Sequence, residues 1–526
     1  MKKIFYLTLA LFAGFIYGCS KGKNSKGTNN PTEPSKIGTT VQLIQDSIWL
    51  YAKEDYLWYD QLPSYAAFGP RTFTNPDDLT ALQNELDALS QYAINPATNP
   101  PKPYEYSNYN PGTAKYSFVD DGTETGALNG VKGDFGFDVQ YNKEKDLRIE
   151  YVYAGSPAGL AGIKRGDEIT SINGSTNITY DGPGYETGTS TNLNFVSNAI
   201  YNSSTIAMVM QRPDGSTYNA NINTANYNVN PVLKDTVYTS TSGTKVGYIV
   251  FNSFVSDAVA DPVLQAAFNK FTTAGVTELI VDLRYNGGGY VSTAEHLDDL
   301  IVPAAKDGSL MYNTYYNSNL VTGKDPLLHN QWRQGSPDYN YAQFDYSVAG
   351  NATYFAKKGS LNVNRVFFII TGQTASASEL TINNLRPEMT VQFVGEQSYG
   401  KPVGFFDIDI NKYILYTPEF SVQNSAGQGG YYDGFTPGAP GYPGALVYDD
   451  LTKNWGDTSE RCLSSILHYE NSGKYAVAQA PKLKSGSFTS SSFAASFAAI
   501  NRKRTPLKAH KFIGMIGKKI KDVKKK

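Results

Sequence analysis

The sequence predicts a multidomain α/β protein from its length, its composition and a change of periodicity along the chain. Its 526 residues are about three times the roughly 150 residues expected for one domain. Apolar residues make up 40% and charged residues 18%, which supplies a core and argues against global disorder. Helical spacing gives way to short alternating strands and then to buried strands separated by helices, so several domains are expected.

The charge is distributed unevenly. The net charge is −2, yet residues 502–526 contain 11 Lys or Arg and one acid. The rest of the chain is therefore acidic, and we expect no nucleic-acid partner. No apolar run after residue 20 approaches the roughly 20 residues that cross a bilayer, which excludes a polytopic membrane protein.

Residues 1–19 have the pattern of an export signal. Lys2 and Lys3 precede the apolar stretch from Ile4 to Tyr17, which is too short to span a membrane stably. Cys19 follows a small residue, and this end resembles a bacterial lipobox. The resemblance implies a lipid-anchored protein at the cell envelope, with ordinary signal cleavage as the alternative. Residues 20–40 are expected to form a flexible linker.

Two helical segments predict a small N-terminal helical domain over residues 41–115. Residues 43–59 place apolar side chains at helical spacing, and residues 77–92 begin at an acidic pair suited to a helix start. Short alternating strands with Asn-Gly and Asp-Gly turns then predict a β-rich module over residues 116–232.

Residues 233–470 show a strand, helix, strand pattern twice, which is typical of βαβ units and a mostly parallel sheet. The expected strands and helix starts are 246–251, a helix from Asp261-Pro262, 278–284, 365–370, a helix from about 376, and 391–395.

The last segment, residues 471–526, ends in a basic tail. Its apolar residues Phe512, Ile516, Ile520 and Val523 stand at nearly helical spacing among lysines. This pattern is typical of an interfacial helix that contacts anionic lipid, and a solvated tail is the alternative.

The β-rich module resembles a PDZ domain of the bacterial protease type. The resemblance is carried by the glycine loop from Gly133 to Gly136, by the Ser156-Pro-Ala helix start and by the G-D-x-I-x-x-I-N-G run that ends at Gly174. Such a loop offers backbone N–H groups to a terminal carboxylate, and the neighbouring strand edge pairs with an extended peptide. The implied ligand is a free protein C-terminus, bound at Gly133, Phe135, Gly136 and Phe137. In the alternative interpretation the glycines only permit a tight hairpin.

A candidate nucleophile follows the strand 365–370. Ser376 opens a helix, where unpaired N–H groups can stabilise an oxyanion. The run from Ser376 to Glu379 is also a capping box, which would explain the serine without catalysis. Ser378 has the same residue type two positions later, and the residues alone do not choose between them.

A serine nucleophile needs a base. Histidine is scarce near these segments, although His296 follows the glycine run 287–289. Lys401 is the alternative, because burial favours the neutral amine, whereas an ordinary lysine is a solvated surface charge.

The motifs DLRYNGGG, TASASE and GEQSYGK, in this order after a PDZ-like module, resemble the carboxyl-terminal processing proteases, which are serine peptidases with a serine/lysine pair. The resemblance covers residues 130–405 and implies a crotonase-like α/β core. It implies Ser376 as nucleophile and Lys401 as base, with the oxyanion held by the N–H groups of Ala377 and of Gly288 or Gly289.

The chain departs from this family at Phe405, where some members place a glutamine that orients the lysine. Asp282, Arg284 and Asn286 are expected to shape the glycine loop. No metal-ligand or phosphate-loop spacing is present, so no cofactor is expected. The expected function is that of a serine endopeptidase acting on proteins with a free C-terminus. The rival hypothesis is a non-catalytic peptide or glycan receptor on the same scaffold.

Overall fold

The computed structural model describes residues 33–108, 110–181, 190–331, 340–476 and 514–517 of the chain. The export signal, Cys19 and most of the linker lie outside the described residues. Within the described ranges, no helix is long and apolar enough to cross a membrane.

The N-terminal region is helical, as expected. Its elements are α1 Thr40–Glu54, α2 Tyr65–Phe68, α3 Asp78–Ser90, β1 Ile94–Asn95 and β2 Lys102–Pro103. Thr39 and Gln42 form a capping box at the start of α1, and the Asp77 side chain caps α3. The helix expected over residues 43–59 ends earlier, at Glu54, and the Leu57 N–H instead donates to the Pro418 carbonyl oxygen at 2.7 Å.

The next region is β-rich and contains a five-stranded antiparallel sheet. Its elements are β3 Phe118–Asp120, α4 Thr123–Leu128, β4 Val131–Lys132, β5 Phe137–Lys143, β6 Asp146–Val152, α5 Pro157–Leu160, β7 Glu168–Ile172, α6 Thr191–Tyr201, β8 Thr205–Gln211, β9 Thr217–Asn223 and β10 Tyr227–Asn228. The sheet order is β5-β6-β7-β8-β9, so β5 is an edge strand. This sheet and α6 enclose a hydrophobic core of their own.

The third region carries the large sheet. Its elements are β11 Val232–Thr239, β12 Lys245–Phe251, α7 Asp257–Ala274, β13 Glu278–Asp282, β14 Gly288–Tyr290, α8 Val291–Ile301, β15 Leu310–Tyr316, α9 Ser318–Val321, β16 Ala352–Tyr354, β17 Arg365–Ile370, α10 Ala377–Leu385, β18 Thr390–Gly395, β19 Val403–Gly404, β20 Ile408–Ile410, β21 Tyr413–Tyr416, β22 Phe420–Asn424, β23 Gly444–Leu446, α11 Arg461–Ser472 and β24 Gly514–Ile516. Single 3-10 turns lie at Tyr59–Gln61, Pro70–Thr72, Ala304–Lys306, Leu328–Asn330, Tyr341–Gln343 and Ala349–Asn351.

The large sheet has the order β11-β12-β13-β17-β18-β23. All neighbours in it are parallel except β11 and β12, and both faces are buried. One face packs against α11, and the other belongs to a cluster shared with α7, α8, α10 and the N-terminal helices. Burial on both faces explains the continuous apolar runs of these strands. The predicted α/β core with a mostly parallel sheet is thus observed.

Smaller sheets surround the large one. They have the orders β16-β15-β22-β19, β20-β21-β3, β10-β4, β1-β2 and β14-β24.

Helix α7 begins earlier than the expected start at Asp261-Pro262. It begins at Asp257, which leaves Pro262 inside the helix. Ala260 is fully buried one turn before Leu264, so the earlier start extends the apolar face at the loss of one backbone hydrogen bond.

The tail also differs from both expectations. Gly514–Ile516 is a strand that pairs in parallel with β14, and the side chains of Met515 and Ile516 are buried. An interfacial helix through Ile516 is therefore wrong, because pairing and burial fix this residue in the fold. Phe512, Ile520 and Val523 lie outside the described residues.

Candidate active site

The glycine loop, the serine helix and the lysine loop each follow the carboxyl end of a neighbouring parallel strand. β13 ends at Asp282, β17 at Ile370 and β18 at Gly395. Because these three strands are adjacent in the sheet, their ends bring the three loops to one edge, where open sheets place ligand sites.

Ser376 stands in a strained turn between β17 and α10. Its φ of 61° and ψ of −111° are rarely adopted by residues other than glycine, and such a conformation costs about 1–3 kcal/mol. The residue is fully buried. Its side chain has the capping-box position facing the Glu379 N–H, yet within the described residues no hydrogen bond of ordinary geometry reaches its Oγ. A buried hydroxyl without a hydrogen bond is rare and needs an explanation, and a strained strand-to-helix turn is a position where serine nucleophiles occur.

Ser378 has a structural partner. Its Oγ donates to the carbonyl oxygen of Asn286 at 2.9 Å, and the Ala375 N–H donates to the same oxygen at 3.1 Å. The Asn286 amide nitrogen reaches the Phe251 carbonyl oxygen at 2.9 Å. Ser378 and Asn286 therefore tie the start of α10 to the glycine loop, which leaves Ser376 as the unengaged hydroxyl of the two.

The two glycines expected in the oxyanion hole face different ways. The Gly288 N–H donates to Asn286 Oδ1 at 2.9 Å, whereas the Gly288 carbonyl and the Tyr290 N–H bond to Phe254. Peptide groups alternate along a strand, so the N–H and carbonyl of Gly289 face the edge opposite Phe254. A Cβ on Gly289 would lie 2.1 Å from the Phe254 carbonyl oxygen at a φ of +141°, which requires glycine here.

Lys401 is fully buried. Burial lowers the pKa of its amine well below 10.5, and the nearby carboxylates Glu105, Glu419 and Glu379 oppose this shift only in part. Its Nζ lies 3.3 Å from the centre of the Phe405 ring and 5.5 Å from that of Tyr116. Phe405 thus contacts the amine at the position where some members of the resembled family have glutamine.

Glu379 links the serine and lysine loops. Its Oε2 accepts the backbone N–H groups of Ser376 at 3.0 Å and Lys401 at 2.8 Å, and its Oε1 accepts from Ser398 Oγ and the Gly400 N–H. Two backbone atoms on one carboxylate oxygen must be close together, so this side chain holds residues 376 and 401 at one place. Burial raises the pKa of Glu379, against its four hydrogen bonds.

Two residues near the lysine were missed by sequence analysis. Lys115 Nζ donates to the carbonyl oxygens of Gly400 and Tyr432, and the Tyr116 hydroxyl donates to the same Gly400 oxygen at 2.6 Å. Burial lowers the pKa of Lys115 to about 8. No motif marks residues 115 and 116, because their role depends on a contact with a loop about 285 residues away.

His296 does not serve Ser376 in this structure. Its Nδ1 faces Lys358 Nζ at 2.8 Å and Asp261 at 3.2 Å. Burial lowers its pKa to about 4. Arg284, by contrast, forms buried ion pairs with Asp282, Asp449 and Glu460, consistent with the expected shaping of the glycine loop.

A cavity of about 360 Å³ joins the β-rich module to the glycine loop. It is lined by Gly133, Phe135 and Phe137 on one side and by Gly287 and Gly288 on the other. Gly136 does not line it. A Cβ at Gly136 would instead overlap the Ser156 side chain at 1.9 Å, so this glycine is needed for packing.

Known families match both regions. Residues 245–437 match the model of peptidase family S41, and residues 148–181 match the model of the PDZ domain. The matches confirm the expected resemblance of the α/β core to a serine-peptidase family and of the β-rich module to a PDZ domain.

Two curated relatives match at low identity. A carboxyl-terminal-processing protease of Picosynechococcus sp. is 24% identical over 281 residues, 53% of this chain and 55% of the relative. The carboxy-terminal processing protease CtpB of Bacillus subtilis is 25% identical over 251 residues, 47% of this chain and 42% of the relative. The chain thus spans about half the length of the curated relatives it matches.

A solved structure shares the fold. The crystal structure of an S41 protease from Bacteroides fragilis has a TM-score of 0.51 at 23% identity, and the match covers 81% of this chain and 96% of that one.

Proposed function

We propose that this chain, which matches the models of peptidase family S41 over residues 245–437 and of the PDZ domain over residues 148–181, is a serine endopeptidase with a Ser376/Lys401 pair. The observation that carries the proposal is the strained, fully buried Ser376, whose Oγ makes no hydrogen bond of ordinary geometry in the described part of the chain. Glu379 ties this residue to a fully buried lysine.

In the proposed reaction, Ser376 Oγ attacks the peptide carbonyl carbon and Lys401 takes the hydroxyl proton. The neutral amine that this step needs is favoured by burial. The oxyanion is held by the N–H groups of Ala377 and Gly289. Ala377 is the first residue of α10, where a backbone N–H has no helical carbonyl to bond. Gly289 is preferred to Gly288 because the Gly288 amide already bonds to Asn286. Lys401 then returns the proton to the leaving amine, and water releases the acyl group.

The proposed substrates are proteins with an extended, free C-terminus. The edge strand β5 is available for pairing with a peptide, and Ile200 and Tyr201 of α6 line the cavity beside it. Strand addition between a sheet edge and a helix is the usual geometry of such recognition. Lys132 lines the same cavity and pairs with Asp134 at 3.6 Å, so the backbone N–H groups of the glycine loop are the proposed donors to a terminal carboxylate.

The decisive experiment compares Ser376→Ala with Ser378→Ala on an unfolded reporter protein, followed by mass spectrometry. We expect Ser376→Ala to lose turnover by at least about 10³-fold while still binding the reporter tail, and Ser378→Ala to lose less than tenfold. A peptide or glycan receptor would show no turnover in the parent protein, and equal turnover in all three proteins would exclude the serine assignment.

The proposal also includes export of the protein, lipidation of Cys19 and attachment to the cell envelope. The domain boundaries given above are part of it as well. The sequence pattern of residues 1–19 supports them. Mass spectrometry of the protein isolated from membranes would detect a diacylated Cys19 as the first residue.

A further inference from the structure

The C-terminal segment Gly514–Gly517, here called the tail strand, lies between the glycine loop and the lysine loop. On one side Gly514, Met515 and Ile516 pair in parallel with Gly288, Gly289 and Tyr290. On the other side the Phe405 N–H donates to the Met515 carbonyl oxygen at 2.8 Å, and the Gly517 N–H donates to the Phe405 carbonyl oxygen at 2.9 Å. The tail strand is thus hydrogen-bonded on both edges.

Its position coincides with groups that the proposed reaction uses. The N–H of Gly289 faces the edge where the tail strand pairs, and Gly289 is in register with Met515. Phe405, which bonds to the tail strand on its other edge, packs its ring 3.3 Å from Lys401 Nζ. A peptide whose carbonyl is to reach both Ser376 and the Gly289 amide must run along this same edge of β14.

The apolar side chains of the tail strand are also buried. Met515 is fully buried and Ile516 is nearly so. A segment in loose contact with the surface would leave its apolar side chains in water. The burial of Met515 and Ile516 therefore favours a stable contact between the tail strand and the rest of the protein.

We propose that the tail strand is a tethered competitor, which occupies the main-chain groove of the substrate and holds the protein in a low-activity state. The inference rests on the proposed peptidase function. The occupant is a stretch of Gly-Met-Ile-Gly, so the groove accepts an extended peptide with apolar side chains flanked by glycine. Covalent attachment lets the segment act at an effective concentration that a free peptide would need to match.

The first experiment removes the tail. We expect deletion of residues 514–526 to raise kcat/KM on the reporter protein about tenfold, mainly through a lower KM, since a competitor is lost and the catalytic groups are kept. Met515→Asp should have the same effect by opposing burial of the side chain. Met515→Leu keeps the apolar volume and should retain the low activity.

A second experiment is independent of turnover. In the Ser376→Ala background, a labelled synthetic peptide of residues 511–520 should bind the protein that lacks residues 514–526 and bind the full-length protein at least about tenfold more weakly. Fluorescence anisotropy measures both affinities. If no variant cleaves the reporter, the proposed peptidase function fails, while this measurement still decides whether the groove holds the tail.

The inference would be overturned by equal KM values for the full-length protein, the deletion and Met515→Asp, or by a lack of peptide binding to the deletion variant. It would also be overturned if the parent protein lost its tail by a cleavage that Ser376→Ala abolishes, because the tail would then be a substrate. If the deletion melts at a much lower temperature, Met515→Asp carries the kinetic test.

Discussion

At the scale of single residues, the site combines a strained serine with an amine and a carboxylate that are both buried. The free energy that holds Ser376 at a positive φ must come from its surroundings. Leu380 donates its N–H to the Ser376 carbonyl oxygen at 2.7 Å, and Glu379 accepts the Ser376 N–H. The peptide groups on both sides of the serine are therefore fixed while its hydroxyl stays unengaged.

The lowered pKa of Lys401 predicts a linked pH dependence of stability. The folded protein keeps this amine neutral at pH values where the unfolded chain binds a proton, so the free energy of unfolding rises with pH between the lowered pKa and 10.5. Lys401→Met should remove that slope and be more stable than the parent at neutral pH, with a difference that shrinks toward pH 10.5. Activity should fall at least about 100-fold.

Chemical denaturation at a series of pH values measures this slope. Lys164→Met, at an exposed lysine, controls for the loss of one positive charge. Identical slopes for the parent and Lys401→Met, or retained activity of the variant, would contradict a neutral lysine base.

Glu379 is predicted to act as a positioning residue. Glu379→Gln keeps the size of the side chain but leaves one acceptor oxygen for four donors, so the loops of Ser376 and Lys401 should separate. We expect kcat to fall about 10–100-fold with little change in KM. Because the carboxylate raises the pKa of Lys401, its removal should also move the acidic limb of the pH profile to lower pH. A lower melting temperature with an unchanged kcat and pH profile would indicate a purely structural role.

At the scale of elements, the sequence predicts the strands that position the site more closely than it predicts the contacts between loops. The strand 365–370 is observed with the same bounds, because a strand buried on both faces is a continuous apolar run. The sequence places the start of α7 too late, because it assigns Pro262 to the first turn, whereas the helix begins at Asp257 and holds the proline in its second turn. β14 and β24 have three residues each and no alternating pattern, so only their tertiary pairing makes them strands.

Some features of the candidate site could likewise be predicted from the sequence, and others could not. Ser376 and Lys401 follow predicted strands within motifs, so their placement at one edge was expected from topology. The sequence does not predict the position of Lys115, the hydrogen bonds through which Glu379 bridges two loops, or the pairing of the tail strand. Each of these arises from contacts between segments far apart in the chain. No periodicity or local spacing encodes such contacts.

At the scale of the whole molecule, a buried arginine connects the hydrophobic core of the five-stranded sheet to the region of the large sheet. The PDZ-region residue Arg165 donates to Asp449 at 2.8 Å and to the Tyr285 hydroxyl at 2.5 Å. It also stacks over Trp455 at 4.1 Å from the ring centre. Asp449 in turn pairs with Arg284, so one ionic cluster connects the PDZ-like module to the residues behind the glycine loop.

This cluster predicts that Arg165 couples the two regions. Arg165→Met fills similar volume but leaves Asp449 with one fewer cation in a buried site, which should lower the free energy of unfolding by about 3–5 kcal/mol. The neighbouring Lys164→Met removes the same charge from an exposed position and should change stability by less than about 0.5 kcal/mol. Urea denaturation of the parent and both variants measures the difference. A loss confined to kcat/KM, with unchanged stability, would mean that the arginine acts on the glycine loop without holding the two cores together.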